Sequence, residues 1–293
     1  MLPIKLANAE KEAFKLFQSN QYREASKTIQ NILDDEIVKK IDNADRGWYL
    51  QLSAFYLHKS ERVSAMEMQL KAHRLNTLLS HPPEGINYQK IQIELGKQPD
   101  QIVKWIKKHT EANGLVASAN NILDKLSFGI PYATFEEEFS NLAEIIGYES
   151  QRPEQEYGEG PDVLWQLSDG TYLVIAAKNE ADLNNVAISI KYADQLTRNW
   201  NWFKTKYKTE EGIPIIVHPS HKLVSGAYCS EDAMALKPHG LKALVSNIRE
   251  FTVALSSKSP DSWDIADVSK LIYKYNLNPK AIKEKYFLKI EKY

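Results

Sequence analysis

The sequence predicts a chain of α+β class: an all-α N-terminal region of helical hairpins, then an α/β domain with a mixed central sheet. Three observations predict it. Early in the chain, apolar side chains recur at spacings of three and four, the period of one helix face. Past residue 160, two apolar, β-rich runs flank a short polar turn. The second half as a whole reads α-β-β-α-β-(β)-α, an order that closes a compact domain around a sheet. The chain has 293 residues, 43% apolar and 26% charged, enough for a sizeable core and roughly two domains. Its 37 basic and 38 acidic side chains leave a net charge of −1, which excludes a uniformly basic coat protein but not a local basic groove. Cys229 is the single cysteine, so neither an internal disulfide nor a cysteine zinc site can form. No apolar run reaches the roughly 18 residues of a membrane helix, and the first residues lack a signal-peptide core. The expectation is a soluble, cytoplasmic protein with no membrane partner.

The first helix is expected over 7–17, where Ala7, Ala13, Phe14 and Phe17 share a face, and Ser19-Asn20-Gln21 ends it. Tyr22, Ala25, Ile29 and Leu33 form the next stripe. Trp48, Leu52, Phe55 and Tyr56, then Val63, Met66 and Leu70, form a second pair. Ala25 and Ala65 stand 40 positions apart, loosely similar to tetratricopeptide hairpins, which repeat at about 34 residues. An ordinary helical bundle packed on the second domain accounts for the same pattern. His81-Pro82-Pro83-Glu84-Gly85 is a break, after which helices are expected over 86–95, 99–109 and 114–126. Phe128-Gly129-Ile130-Pro131 stops the last of them. This places a helical domain over 1–128, an α/β domain over 129–258 and a basic helical tail over 259–293.

In the second domain a helix over 135–146 carries Phe135, Phe139, Leu142 and Ile146 on one face, with Gly147 ending it. Strands follow over 162–167 and 171–177, joined by Ser168-Asp169-Gly170. A helix over 188–207, strands over 213–217 and 233–236, and a helix over 241–255 complete the domain. From Ser269 onward the tail has seven lysines and two glutamates.

A three-residue hairpin loop suits a type I turn with glycine in the left-handed position. In that register Leu167 pairs with Thr171, and Asp162 lies directly opposite Ala176, with Cβ atoms roughly 5 Å apart. Lys178 leaves the strand on the same face as Ala176 because strand side chains alternate. Asp162, position 176 and Lys178 therefore gather at one end of the sheet. A two-residue turn would instead put Asp162 on the opposite face.

At these residues the chain resembles the PD-(D/E)xK nuclease superfamily, whose motif sets an aspartate on one strand and an acidic residue and a lysine, two apart, on the next. It resembles most the nuclease-like domains at the C-terminal end of bacterial DEAD/DEAH-box helicases and related phage-defence proteins. There the pattern runs FE…LG…RPE…GPD-x-LW…IE-x-K, then a glutamine helix ending in Trp-Phe. Here it reads Phe135-Glu136, Ile146-Gly147-Tyr148, Arg152-Pro153-Glu154, Gly160-Pro161-Asp162-Val163-Leu164-Trp165, Ile175-Ala176-Ala177-Lys178, Gln195-Leu196 and Trp202-Phe203, over about residues 130–255.

The resemblance implies a restriction-endonuclease-like fold and metal-dependent hydrolysis of DNA phosphodiesters, in bacterial antiviral defence. Mg²⁺ or Mn²⁺ would be held by Asp162, the side chain at position 176, the Ala177 backbone carbonyl and Glu136, since hard cations take oxygen ligands. Lys178 would be the catalytic cation and Gln195 would orient the phosphate or the lysine. Lys178, Asn179, Lys191 and Gln195 are the expected nucleic-acid contacts. Implied partners are DNA, a helicase or ATPase of a defence system, and further copies of the chain.

Ala176 departs from the motif. A methyl group cannot ligate metal, so cleavage is expected to be weak or absent. The chain is then either an inactivated variant of a nuclease or a natural pseudonuclease that binds without cutting. The persistence of Asp162, Lys178 and Glu136 favours the first. A noncatalytic adaptor, with the hairpins binding a protein, is the rival from another class.

Other features have plainer readings. Glu137 belongs to a favourable acidic first helical turn. Trp202 and Phe203 are expected in the core, although they and Trp200 have the chemistry to stack on bases. His218 and His221 lack a third ligand and read as loop histidines. The lysine-rich tail and the patch of Lys104, Lys107 and Lys108 around Trp105 suit phosphates or a solvated surface equally.

Overall fold

The computed structural model describes residues 2–35, 38, 41–80, 88–92 and 94–292. The expected break at 81–85 and the side chain of Val63 lie outside the described residues. The chain forms two compact units, Met1–Gln89 with Gln155–Tyr157, and Lys90–Glu154 with Gly158–Tyr293.

The first unit holds α1 (Leu2–Gln18), α2 (Tyr22–Leu33), α3 (Asn43–Leu57) and α4 (Arg62–Leu75), each packed on the next. Asn20 takes a left-handed φ of 59°, a conformation asparagine tolerates, and so turns the chain between α1 and α2. Asp42 caps α3 by accepting from the Asp45 N–H at 2.7 Å. Ala13, Ala25, Ile29 and Tyr56 form the buried centre, and Ala65 is buried too. The apolar stripes are wider than the buried face: Phe14, Trp48 and Phe55 stay 51–57% exposed.

The second unit is mixed α and β. It contains α5 (Gln98–Ile106), α6 (Ala112–Leu123), α7 (Tyr132–Ile145), β1 (Glu149–Gln151), α8 (Pro153–Tyr157, shared with the first unit), β2 (Val163–Gln166) and β3 (Tyr172–Ala177). After these come α9 (Ile190–Tyr207), β4 (Gly212–Val217), β5 (Met234–Leu236), α10 (Pro238–Leu255), α11 (Ile265–Lys274), α12 (Pro279–Lys285) and β6 (Leu288–Lys289). The strands form a six-stranded sheet in the order β1-β2-β3-β4-β5-β6. The β3–β4 and β4–β5 pairs are parallel and the others antiparallel.

One sheet face carries Val163, Trp165, Leu173, Ile175, Ile215 and Val217 into a core shared with α7, α10 and α11. There Trp165 is fully buried, stacks on Phe139 at 4.7 Å and donates its indole N–H to the Phe139 carbonyl at 3.1 Å. The stack adds about 0.5–1.5 kcal/mol beyond area burial. The other face sets Ala176, Ile216 and Ala235 against Ile188, Ala193 and Leu196, the last two on α9. Ser189 caps α9 by accepting from the Tyr192 N–H at 3.3 Å.

Three expectations change. Residues 88–92 and 94–95 are not helical. The Ile91 N–H donates to the Tyr207 hydroxyl at 3.2 Å and its carbonyl accepts from the Tyr172 hydroxyl at 3.0 Å, so side chains replace helical partners. The boundary expected near residue 128 falls inside the second unit, because Ile102, Trp105, Ile106, Leu115, Ala119 and Leu123 of α5 and α6 are buried in its core. The tail over 259–293 is likewise built in: Val268, Ile272, Ile282 and Phe287 join that core, and β6 pairs with β5.

Candidate functional site

The site begins with a turn. Gly160 has φ +105°, and a Cβ there would come within 2.8 Å of the Trp202 ring and 2.9 Å of Pro153, so only glycine fits. The chain then enters β2 through Pro161 and Asp162. Val163 pairs with Ile175 and Gln166 with Tyr172, while the Leu167 N–H donates to the Thr171 carbonyl at 2.9 Å. This is the three-residue-loop register, with Gly170 left-handed at φ 91°. Asp162 is therefore opposite Ala176, just before the start of β2, and Pro161 is opposite Ala177. The Pro161 carbonyl accepts instead from the Glu154 N–H, at 3.2 Å. The Asp162 carboxylate takes its place and accepts the Ala177 N–H on Oδ2 at 2.7 Å.

Asp162 is only 3% exposed, and a buried carboxylate without partners costs several kcal/mol. Two side chains complete its shell: Lys178 Nζ lies 3.4 Å from Oδ2, and Gln195 Nε2, from α9, donates to Oδ1 at 3.4 Å. The lysine contact is longer than the roughly 2.7–2.9 Å of a tight charge-assisted bond. Lys178 is thus held near the carboxylate without being locked onto it.

Two further carboxylates surround this group. Glu136, in the second turn of α7, pairs with the buried Arg152 at 3.4 Å; the helix starts at Tyr132, so the expected acidic first turn around Glu137 does not form. Burial pushes its pKa up to about 7, helped by the charge of Asp162 and opposed by Arg152 and Lys178. Glu154 is exposed as a residue but reaches Asp162. A hydrogen bond between the two carboxyls is the first cause that lifts its pKa to about 7, followed by burial and the charges of Asp162 and Glu136. Arg152 and Glu154, flanking Pro153 in the Arg-Pro-Glu string, are site residues that sequence reasoning missed. Their alternation across one proline is the signal that places an arginine on one site carboxylate and a carboxyl on another.

A cavity of about 240 Å³ opens beside the group, lined by Glu136, Ala177, Lys178 and Asn179 with Tyr132 and Tyr192. The structure brings together Asp162, Lys178 and Gln195 directly, and Glu136 through the electrostatics of the same cluster. Asn179 is fully buried and its side-chain N–H donates to the Ile130 carbonyl at 2.6 Å, so it holds a loop. Lys191 is exposed on the first turn of α9, and no described contact joins it to Asp162 or Lys178. Ala176 is fully buried among Ile188, Ala193, Leu196 and Ile216.

The oxygen donors fit a divalent ion only in part. Asp162 and Glu136 belong to one electrostatic cluster, but position 176 offers a methyl group. Among the described residues no group of three or more His, Cys, Asp or Glu side chains is placed to hold a metal ion. As it stands, this donor set does not fit the ion.

No family model, curated protein or solved structure matches the chain. Among the described residues no helix is long and apolar enough to cross a membrane. His218 is buried, with Nδ1 accepting from the Ser220 N–H at 3.0 Å, and burial lowers its pKa. Phe203 is buried and Trp202 half-buried. Trp105 is buried beneath Lys104 and Lys108, and Lys108 pairs with Glu144, which leaves that basic patch partly neutralised.

Proposed function

We propose that the second unit is a restriction-endonuclease-like domain that engages nucleic-acid phosphodiesters, and that this sequence carries the cleavage site in a disabled form. The observation that supports the reading is the convergence of Asp162, Lys178 and Gln195 at one end of the β2–β3 hairpin, on the same face as buried Ala176. With a glutamate at position 176, a divalent ion would supply the Lewis acid and the activated water of hydrolysis. The chain's own groups do the rest. Lys178 meets the negative charge that develops on the phosphate, Gln195 fixes the aspartate, and the Ala177 N–H holds Asp162 in one orientation. A DNA substrate, a helicase or ATPase partner and a role in phage defence belong to the same proposal and rest on the motif resemblance.

The test is Ala176→Glu, incubated with plasmid and Mg²⁺ or Mn²⁺. Nicking or linearisation that disappears on adding Lys178→Ala is the expected result. No cutting with either metal overturns the nuclease reading.

A second reading has its own observation. Ala176 is fully buried in an apolar cluster against α9, which suits a domain that has closed over the acidic position and binds without cutting. It predicts DNA binding that weakens steeply with salt, without restored cleavage.

A further inference from the structure

On the face of α9 turned away from Gln195, Asp194, Thr197, Trp200 and Lys204 border a groove of about 330 Å³, completed by Tyr228, Cys229 and Ser230. Two aromatic rings in it are built as platforms. Trp200 lies flat on Phe203, with centroids 5.5 Å apart and planes 12° apart, and Lys204 Nζ sits 5.7 Å from the Trp200 centroid. Tyr228, in the loop after β4, is 73% exposed, and Lys292 Nζ sits 5.2 Å from its centroid. The Thr197 hydroxyl donates to the Ala193 carbonyl at 2.9 Å and lies 3.4 Å from the Tyr228 carbonyl, which sets that loop against the helix.

In the free protein an ammonium lies over each ring; a nucleotide base displaces it to stack there, and the displaced cation meets the phosphate. A duplex keeps its base faces occupied, so only an unpaired strand can use such a surface. The groove is also of the size that takes a single small ligand unit, about 300 Å³ upward. Asp194 is the one acidic residue lining it, and Lys292 is shared with Glu231 at 3.8 Å, which leaves Lys204 as the cation nearest the Trp200 ring.

We propose that this groove is a stacking platform for unpaired bases of a single-stranded nucleic acid, with Lys204 and Lys292 on the phosphates. The proposal rests on reading the second unit as a nucleic-acid-processing domain, and it adds the substrate class.

Fluorescence anisotropy tests it, using a labelled mixed-sequence DNA single strand and the matching blunt duplex, with a chelator present so that nothing is cut. The single strand should bind more tightly than the duplex. Tyr228→Ala should weaken single-strand binding by roughly 10-fold, the scale of one lost base stack, and leave duplex binding unchanged. Tyr228→Phe should retain the parent affinity. Unchanged single-strand binding by Tyr228→Ala, an equal loss for the duplex, or no binding of the single strand overturns the platform. Tyr228 is exposed, so its replacement leaves the core intact; Lys204→Ala, also exposed, should flatten the salt dependence of single-strand binding. The two readings separate cleanly. Restored cutting by Ala176→Glu with indifference to Tyr228 removes the platform and keeps the nuclease. Tyr228-dependent binding in a chain that never cuts does the reverse.

Discussion

The two faces of β3 treat charge in opposite ways. Leu173, Ile175 and Ala177 point into a wholly apolar core with Phe135, Phe139, Leu244 and Ile248. On the other face Ala176 also begins in apolar surroundings, yet the next side chain on that face is Lys178, beside a buried carboxylate. A single strand of six residues thus separates an apolar core from a buried charged cluster by parity alone. The difference teaches that neighbours in sequence here answer to different demands. A substitution at an odd position of β3, or at what packs on it, is felt as lost packing, and one at the even end as a change in the charged cluster around Asp162.

The sharpest way to break that contrast is at Phe139, which is fully buried and stacked on both Phe135 (5.4 Å) and Trp165 (4.7 Å). Phe139→Ala is expected to cost about 3–5 kcal/mol of unfolding free energy, read from urea titrations. On the other face Gln195→Ala, which gives up only a 3.4 Å bond to Asp162, is expected to cost under about 1 kcal/mol. Equal losses at the two positions would erase the distinction.

Where sequence reasoning succeeds here, local chemistry decides. Gly170 in the left-handed region, with the Thr171 N–H turned onto Asp169 Oδ1 at 3.0 Å, fixes the hairpin loop. The loop fixes the register, and the register places Asp162 opposite Ala176 and beside Lys178. Where it fails, the deciding partner is distant in sequence. Residues 88–92 have helical composition, but the Tyr172 and Tyr207 hydroxyls claim the Ile91 backbone. β1 and β6, three and two residues long, exist only because β2 and β5 offer an edge. Glu154 carries no local mark of a site residue; only the return of the chain through Gly160 brings its carboxyl to Asp162. The apolar pocket around Ala176 was hidden for the same reason, since Ile188 and Leu196 come from the far side of the β3–α9 connection.

The next effect uses pH. Burial first, then the charge of Asp162, raises Glu136 from 4.5 to about 7. The folded state therefore holds more protons than the unfolded chain between those values. Stability from this group is complete below pH 4.5 and is lost as pH rises through 7. Glu136→Gln removes the titration while keeping a hydrogen-bonding partner for Arg152. Relative to the parent, the variant should gain on the order of 1–3 kcal/mol between pH 5 and pH 8 in urea unfolding. A parallel pair of pH–stability curves would show that Glu136 titrates normally and that the even face of β3 is less electrostatically loaded than its geometry indicates.

The smallest effect lies at the other end of the hairpin and has the opposite sign. Asp169, in the turn, meets Lys283 of α12 at 2.7 Å, and the same ammonium reaches the Thr171 hydroxyl at 3.2 Å. Burial alone would raise the aspartate, but the bonds from Lys283 and Thr171 outweigh it and hold the pKa below its ordinary 3.8. Its stabilising share is present above that value and is lost as pH falls through the lowered one, where the Glu136 share is lost on the way up. Both partners are partly solvated, with side chains 28% and 37% exposed, so screening trims the pair to about 1 kcal/mol or less. Lys283→Ala should therefore shift the urea midpoint slightly at neutral pH and shift it less in high salt. A large loss would mean that the turn, rather than the β2–β3 pairing, sets the register that carries Asp162 to its place.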